Sequence, residues 1–439
     1  MQDVPQEPLL KQQMRRRRQR RIVGTVSLLV LIVVAYVAVI GNAPLPDLSP
    51  QQAESAKTTV AAHDSALKKA VHAQKNPVGI AWVANGTVTE HGQWVNSKKT
   101  VPIASITKVV TALVGLEKMP IKEGSDGKTY TVKDRDEKII DRVTQQNGIW
   151  ESVHTGQKLT QRQLLELMML PSANNYAITY ADWIFGDNTS FVQATKKWLK
   201  KHDLDATTIA EPSGLNEHNR SSVADLIKIS ALALDDPVLA SVMKEKSAKI
   251  PQIGKIETTN AFVESGSAVG VKTGTLAEAG YNIAVASEHR AGSRKLTLVA
   301  VELGADSPQD RIDLSARLVK AAKKSVTAHE VVPAQQQVGE VTTWDGQRVA
   351  LRADNAKTIR SVLVPGEQAR AETELRGVNV SERDDVAGTI HVETPVGKQK
   401  VSVVPERPIE DPGFSWRLGH PFIVLGFAAP QQPASSPTE

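Results

Sequence analysis

Ile22 to Ile40 is a run of nineteen residues without a charge, and six arginines stand directly before it. No other stretch limits the chain so strongly. Its polar members, Thr25, Ser27 and Tyr36, are mild. As a helix the run would extend roughly 28 Å, close to the hydrocarbon thickness of a bilayer. Asp47 and Glu54 follow it, and the next base is Lys57. The positive-inside rule therefore expects a cytoplasmic basic tail over 1–21, a transmembrane helix over 22–41 and all later residues outside the membrane. A cleaved signal peptide is the alternative, since Gly41-Asn42-Ala43 is a small-residue site. The apolar run exceeds the usual signal core of about 7–15 residues, and Pro44 would follow the cut. An uncleaved anchor is expected.

Charge elsewhere is balanced. Of 53 basic and 48 acidic residues, seven basic and two acidic fall in 1–21, leaving 46 of each in the remainder. The basic character is thus a property of the tail, and no nucleic-acid partner is expected. There is no Cys, which excludes thiol nucleophiles, disulfides and thiolate metal sites. The ten histidines show neither H-x-H nor H-E-x-x-H spacing, so zinc is not expected.

Ala43–Asn76 is rich in Ala, Gln, Ser and Pro, and 42–76 reads as an extracytoplasmic spacer with helical character over Thr58–Gln74. Val78–Val83, Asn85-Gly86 and Thr87–Glu90 read as a hairpin with a type I′ turn. Ile106, Val109, Val110 and Leu113 give a helical period over Ser105–Met119, ended by Pro120. Thr160-Gln161-Arg162-Gln163 is a capping box for a helix that Pro171 breaks. A further helix is expected near Asn175 and another from Ser222. Val269–Thr275, Tyr281–Ser287 and Leu296–Leu303 suggest an antiparallel meander, followed by an amphipathic helix over Asp310–Lys324. These elements point to an α/β or α+β unit over 77–326. Short strands and turns over 331–406 suggest a small all-β domain. An aromatic segment, Phe414–Leu425, and a Pro/Ser tail complete 407–439.

Three short motifs carry chemistry. Ser105-Ile106-Thr107-Lys108 opens the most apolar helix after the membrane run. Lys108 lies one turn from Ser105 on the same face, at a helix start where the dipole disfavours a cation. Desolvation would lower its pKa and make it a base for the Ser105 hydroxyl. The same S-x-x-K pattern at Ser65 and Ser241 reads as surface helix. Ser172-Ala173-Asn174 falls at a helix break, where the hydroxyl could relay a proton and the amide could hold a peptide group. Lys272-Thr273-Gly274 lies in a strand, where Gly marks close approach of another backbone. Lys272, Thr273 and Thr275 would face a carboxylate there. The motifs stand in order, 67 and 100 residues apart.

That motif set is shared by serine penicillin-binding proteins and class A β-lactamases. VGVKTGTLAEAGYNIAVAS, EPSGLNEHNRSSVADL and GADSPQDR resemble the D-alanyl-D-alanine carboxypeptidases, the low-molecular-mass penicillin-binding proteins. The resemblance implies a β-lactamase/transpeptidase-like catalytic domain, with an antiparallel sheet flanked by helices, and a carboxy-terminal all-β sandwich. It implies removal of terminal D-Ala from peptidoglycan stem peptides through an acyl-enzyme, with no metal or organic cofactor, and covalent capture of β-lactams. Ser105 would be the nucleophile, Lys108 its base, and Ser172, Asn174 and Lys272 the supporting catalytic groups. Thr273, Gly274, Thr275 and Arg311 would bind substrate. The amino-terminal anchor and the segment Ile121–Gln157 depart from typical members.

Three other functions compete. A class A β-lactamase would carry E-x-x-L-N, but Glu211-Pro212-Ser213-Gly214-Leu215-Asn216 is one residue longer. A D,D-endopeptidase or transpeptidase would share the motifs. A non-catalytic wall-binding protein would not need all of them.

Overall fold

The computed structural model describes residues 7–63, 65–84, 86–122 and 124–429. Asn85 of the expected hairpin turn, the first six residues of the basic tail and the Pro/Ser tail from 430 onward lie outside this set. The chain divides into two compact units. One comprises 61–329 with 362–368, and the other 1–60, 330–361 and 369–439.

Along the chain, helix α1 spans Glu7–Asn42 and includes the whole apolar run. It is long and apolar enough to cross a membrane, and its most apolar window is not buried. Two short strands follow, β1 (Gln51–Gln52) and β2 (Lys57–Ala61). The first unit is then built on a five-stranded sheet of β3 (Val78–Ala84), β4 (Thr87–Val95), β5 (Gly270–Leu276), β6 (Gly280–Ala291) and β7 (Arg294–Ala305). The order is β5-β6-β7-β3-β4, antiparallel throughout, so β5 is an edge strand. Strand alternation sorts the core into two layers. Ala81, Val83, Ala284, Ala286, Val299 and Val301 face one cluster, and Ile80, Trp82, Ile283, Val285, Leu298 and Ala300 the other.

The first cluster is covered by α2 (Thr107–Lys118), α3 (Gln161–Met169), α4 (Asn174–Phe185) and α5 (Val223–Asp235). The second is covered by Ser65–His72 and α6 (Pro308–Lys324). The capping box at Thr160 is formed on both sides. Its hydroxyl accepts the Gln163 N–H at 3.2 Å, and the Gln163 side chain accepts the Thr160 N–H at 2.9 Å. The helix expected over Ser105–Met119 differs at its start, because Ala104–Ile106 is a 3₁₀ turn and regular helix begins at Thr107. Ala104 has φ 49°, so the chain enters that turn through a left-handed residue.

The second unit carries a seven-stranded sheet. To β1 and β2 it adds β8 (Gln337–Thr342), β9 (Arg348–Ala353), β10 (Gln368–Leu375), β11 (Gly388–Thr394) and β12 (Gly397–Pro405). Their order is β1-β8-β9-β12-β11-β10-β2. Two expectations are corrected here. The stretch read as a spacer supplies both outer strands, with Gln51 opposite Glu340 and Leu48 bridged to Val378. Within Thr58–Gln74 the helix is confined to Ser65–His72. Five carboxy-terminal strands accordingly share one seven-stranded sheet with the two amino-terminal strands, and Thr327–Val332 pairs separately with Ile359–Leu363. The physical reason is the edge. β8 and β10 would otherwise present unpaired N–H and C=O groups, and β1 and β2 satisfy them. Phe414–Leu425 forms two short helices, α7 (Phe414–Gly419) and α8 (Pro421–Val424). α7 docks on the end of α1, where Tyr36 OH donates to Leu418 O at 2.5 Å and Arg417 Nη1 to Ala43 O at 2.6 Å.

Candidate active site

The three motifs meet at one cavity. It has a volume of about 560 Å³, and its lining includes Ser105, Ser172, Asn174, Thr273, Gly274, Thr275 and Arg311. Ser105 stands in the 3₁₀ turn that starts α2, half-buried, while Lys108 one turn along is fully buried. The β5 edge lies directly against this turn. A Cβ on Gly274 would stand 2.8 Å from Ile103 O and 3.1 Å from Ser105 N. The close backbone expected at this glycine is therefore the nucleophile's own turn. Neither of the other two S-x-x-K sequences, on helices Ser65–His72 and Pro237–Lys244, contributes to the lining.

Lys108 Nζ has three neighbours: Asn174 Oδ1 at 2.7 Å, Ser213 O at 2.6 Å and Ser105 Oγ at 2.8 Å. The first two can only accept, and each takes an N–H. In its neutral form the amine has two N–H groups and one lone pair, and with both N–H groups given to those acceptors the lone pair would face the Ser105 hydroxyl. Burial holds the Lys108 pKa well below its ordinary value, and positive charge on Lys272 lowers it further, while Glu211 opposes the shift. Lys272 is itself buried in β5, and desolvation followed by the nearby Arg311 lowers its pKa to about 7.

Ser172 and Asn174 occupy the break between α3 and α4. Ser172 is buried in the left-handed region at φ 68°, which aims the chain back toward the cavity. Asn174 Nδ2 donates to Ile149 O at 3.0 Å, which fixes the amide so that Oδ1 faces Lys108. Arg311, in the first turns of α6, extends Nη1 to Asn282 O at 3.2 Å, Gly274 O at 3.3 Å and Thr275 Oγ1 at 3.4 Å. Its guanidinium lies over the Tyr281 ring at 5.7 Å. All nine residues singled out in the sequence fall on or directly behind this cavity.

Several contributors were not singled out as site residues in the sequence. Ser213 supplies only a carbonyl. Its loop is held by Glu211, whose carboxylate accepts from Gly214 N at 2.6 Å, Ser213 N at 2.7 Å and Asn219 Nδ2 at 2.7 Å. Gly214 has φ 92°, and a Cβ there would stand 2.1 Å from Ala104 O. Thr259 faces Thr273, with their hydroxyls 3.3 Å apart. Asn282 Nδ2 donates to Pro102 O at 3.0 Å and ties β6 to the strand before Ser105. The segment Gln146–Ile149, within the stretch that departs from typical members, forms one wall. Among the described residues no cluster of His, Asp or Glu is arranged to hold a metal.

Residues 93–307 match the Peptidase S11 family, D-alanyl-D-alanine carboxypeptidase. The chain is 22% identical to the D-alanyl-D-alanine carboxypeptidase DacF of Bacillus subtilis over 280 residues, 62% of this chain and 69% of that protein. It is 30% identical to a D-alanyl-D-alanine endopeptidase of Pseudomonas aeruginosa over 146 residues, 33% of this chain and less than half, 44%, of that protein. Penicillin binding protein 6B from Escherichia coli has a similar fold, with a TM-score of 0.53 and 20% identity, covering 76% of this chain and 95% of that one.

Proposed function

The chain belongs to the D-alanyl-D-alanine carboxypeptidase family of serine peptidases, and from that premise we propose that it removes the terminal D-Ala from peptidoglycan stem peptides. The observation that carries this reading is the arrangement around Lys108. A buried amine, whose hold on its proton is weakened by burial and by the charge of Lys272, stands 2.8 Å from a hydroxyl.

In the proposed reaction the substrate peptide extends along the β5 edge. Ser105 Oγ attacks the carbonyl between the two D-alanines, and its proton passes to Lys108 Nζ. The backbone N–H groups of Ser105 and Thr275 receive the oxyanion, an interaction typically worth ~3–4 kcal/mol per donor. The tetrahedral intermediate collapses, the C–N bond breaks, and the leaving amine takes a proton through Ser172 with Lys272 close by. Thr273, Thr275 and Arg311 hold the terminal carboxylate. Water then cleaves the ester. β-Lactams offer the same carbonyl and carboxylate, so they acylate Ser105.

We place the catalytic unit outside the membrane, with α1 as a single-pass anchor and the arginine-rich tail on the cytoplasmic side. The apolar run, the six arginines before it and the engagement of Tyr36 and Ala43 by α7 support retention of α1.

The test is to incubate the full chain in detergent with a pentapeptide ending in D-Ala-D-Ala and to measure freed alanine. Release is expected, and Ser105→Ala should abolish both release and labelling by fluorescent penicillin. Labelling that survives in the variant would exclude Ser105 as nucleophile. The 30% identity to an endopeptidase favours a second reading, cleavage of cross-linked peptides. Product analysis of cross-linked muropeptides separates the two. A β-lactamase is disfavoured, because both Glu211 carboxylate oxygens are taken up by its own loop and its side chain does not line the cavity.

A further inference from the structure

Within the catalytic unit, the large apolar side chains that stand in solvent among the described residues are two neighbours, Ile149 (52% exposed) and Trp150 (45%). Single exposed apolar residues are ordinary, but an adjacent pair beside a cleft asks for a partner. The backbone beneath them is held firmly. Asn174 donates to Ile149 O from its backbone N–H at 2.8 Å and from Nδ2 at 3.0 Å. Asn175 receives the Glu151 N–H at 3.2 Å and donates to Glu151 O at 2.9 Å. Tyr176 OH donates to Ser152 O at 2.7 Å. Three consecutive buried residues thus clamp the segment, and the first of them also holds the catalytic base. A contact presented on so fixed a backbone loses little entropy when it binds.

Ile149 lines the cavity, and Leu215, Leu276 and Ala277 are further apolar members of its lining. The mechanism leaves these apolar side chains unused. The reacting end of the substrate is held by polar groups, and two alanine methyls are too short to cover an isoleucine. The next side chain along the peptide is the one with reach. We propose that Ile149, with Trp150 beside it, is a specificity-determining contact for the aliphatic stretch of the residue that precedes D-Ala-D-Ala. This rests on the carboxypeptidase reading above. An apolar contact of this kind distinguishes substrates by about 10- to 200-fold.

The experiment compares three peptides ending in D-Ala-D-Ala, preceded by Gly, by Ala or by Nε-acetyl-lysine. Two readouts are taken: kcat/KM for alanine release, and the concentration at which each peptide slows acylation by fluorescent penicillin. The wild type should favour the acetyl-lysine peptide over the Gly peptide by roughly tenfold or more. Ile149→Ser should shrink that ratio at least fivefold, chiefly through KM, and Trp150→Ala should shrink it less. Melting temperatures show whether each variant is folded, and Ile149→Leu should restore the preference. A ratio unchanged in Ile149→Ser, or a wild type without preference, overturns the proposal. If no peptide releases alanine, the hydrolase reading falls, while competition against penicillin still ranks the peptides and decides the contact.

Discussion

Two buried lysines make the stability of the catalytic unit sensitive to pH. An unfolded lysine keeps its proton up to about pH 10.4. Lys272 in the folded protein gives it up near 7, and Lys108 is also lowered. Between those values the unfolded state binds more protons, so stability rises with pH, by up to ~1.4 kcal/mol per unit for each lysine. The melting temperature should therefore climb between pH 7 and 9.5, and Lys272→Met should flatten the climb. A flat wild-type profile would show that Lys272 is protonated throughout. Glu211 belongs to the same scale. Its carboxylate opposes the lowering of Lys108 and organises the loop that offers Ser213 O. Glu211→Gln should shift the acid limb of penicillin acylation to lower pH while reducing the plateau rate several-fold, both read by stopped-flow at a series of pH values. The pairing of Ser105 with Lys108 was legible, because one helical turn fixes it. The Ser213 carbonyl was not, since a backbone oxygen has no signature and the loop that aims it is more than 100 residues away.

The catalytic cleft depends on the contact between β5 and the 3₁₀ turn of Ala104–Ile106. A methyl group on residue 274 would push against Ile103 O. Gly274→Ala should thus part the strand from the turn, and acylation should fall at least tenfold with only a small loss of melting temperature. Equal losses in both measurements would mean that the strand itself had come apart. Elements with local causes were read well from the chain: the Thr160 box, the Ser222 cap that accepts from Asp225 N at 3.1 Å, and the meander of β5 to β7. The order of the sheet was not legible. β3 pairs with β7 across more than 200 residues, and nothing in either strand names its partner. The start of α2 was misjudged because hydrophobic period does not distinguish a 3₁₀ turn from the helix it leads into.

At the scale of the molecule, the amino-terminal segment serves two ends at once. The same residues 43–61 that leave the apolar helix also close the carboxy-terminal sheet, with β1 on β8 and β2 on β10. Composition misled here, because Ala, Gln and Ser suit a spacer, and two strands of two and five residues leave almost no periodic trace. Trp344 ties the arrangement together, buried and donating from Nε1 to Pro46 O at 2.9 Å. This has a consequence for any soluble form of the protein. Removal of residues 1–43 deletes the apolar helix and leaves both edge strands and the Pro46 acceptor in place. Removal of residues 1–61 deletes both strands and exposes the edges of β8 and β10, which are then free to pair with other chains. The shorter truncation should stay monomeric, with the β-unit unfolding cooperatively. The longer one should retain penicillin acylation through the catalytic unit while its β-unit melts early and the protein associates. Sedimentation and calorimetry on the two truncations decide the matter. Indistinguishable profiles would mean that β1 and β2 are dispensable and that the carboxy-terminal strands hold their sheet alone.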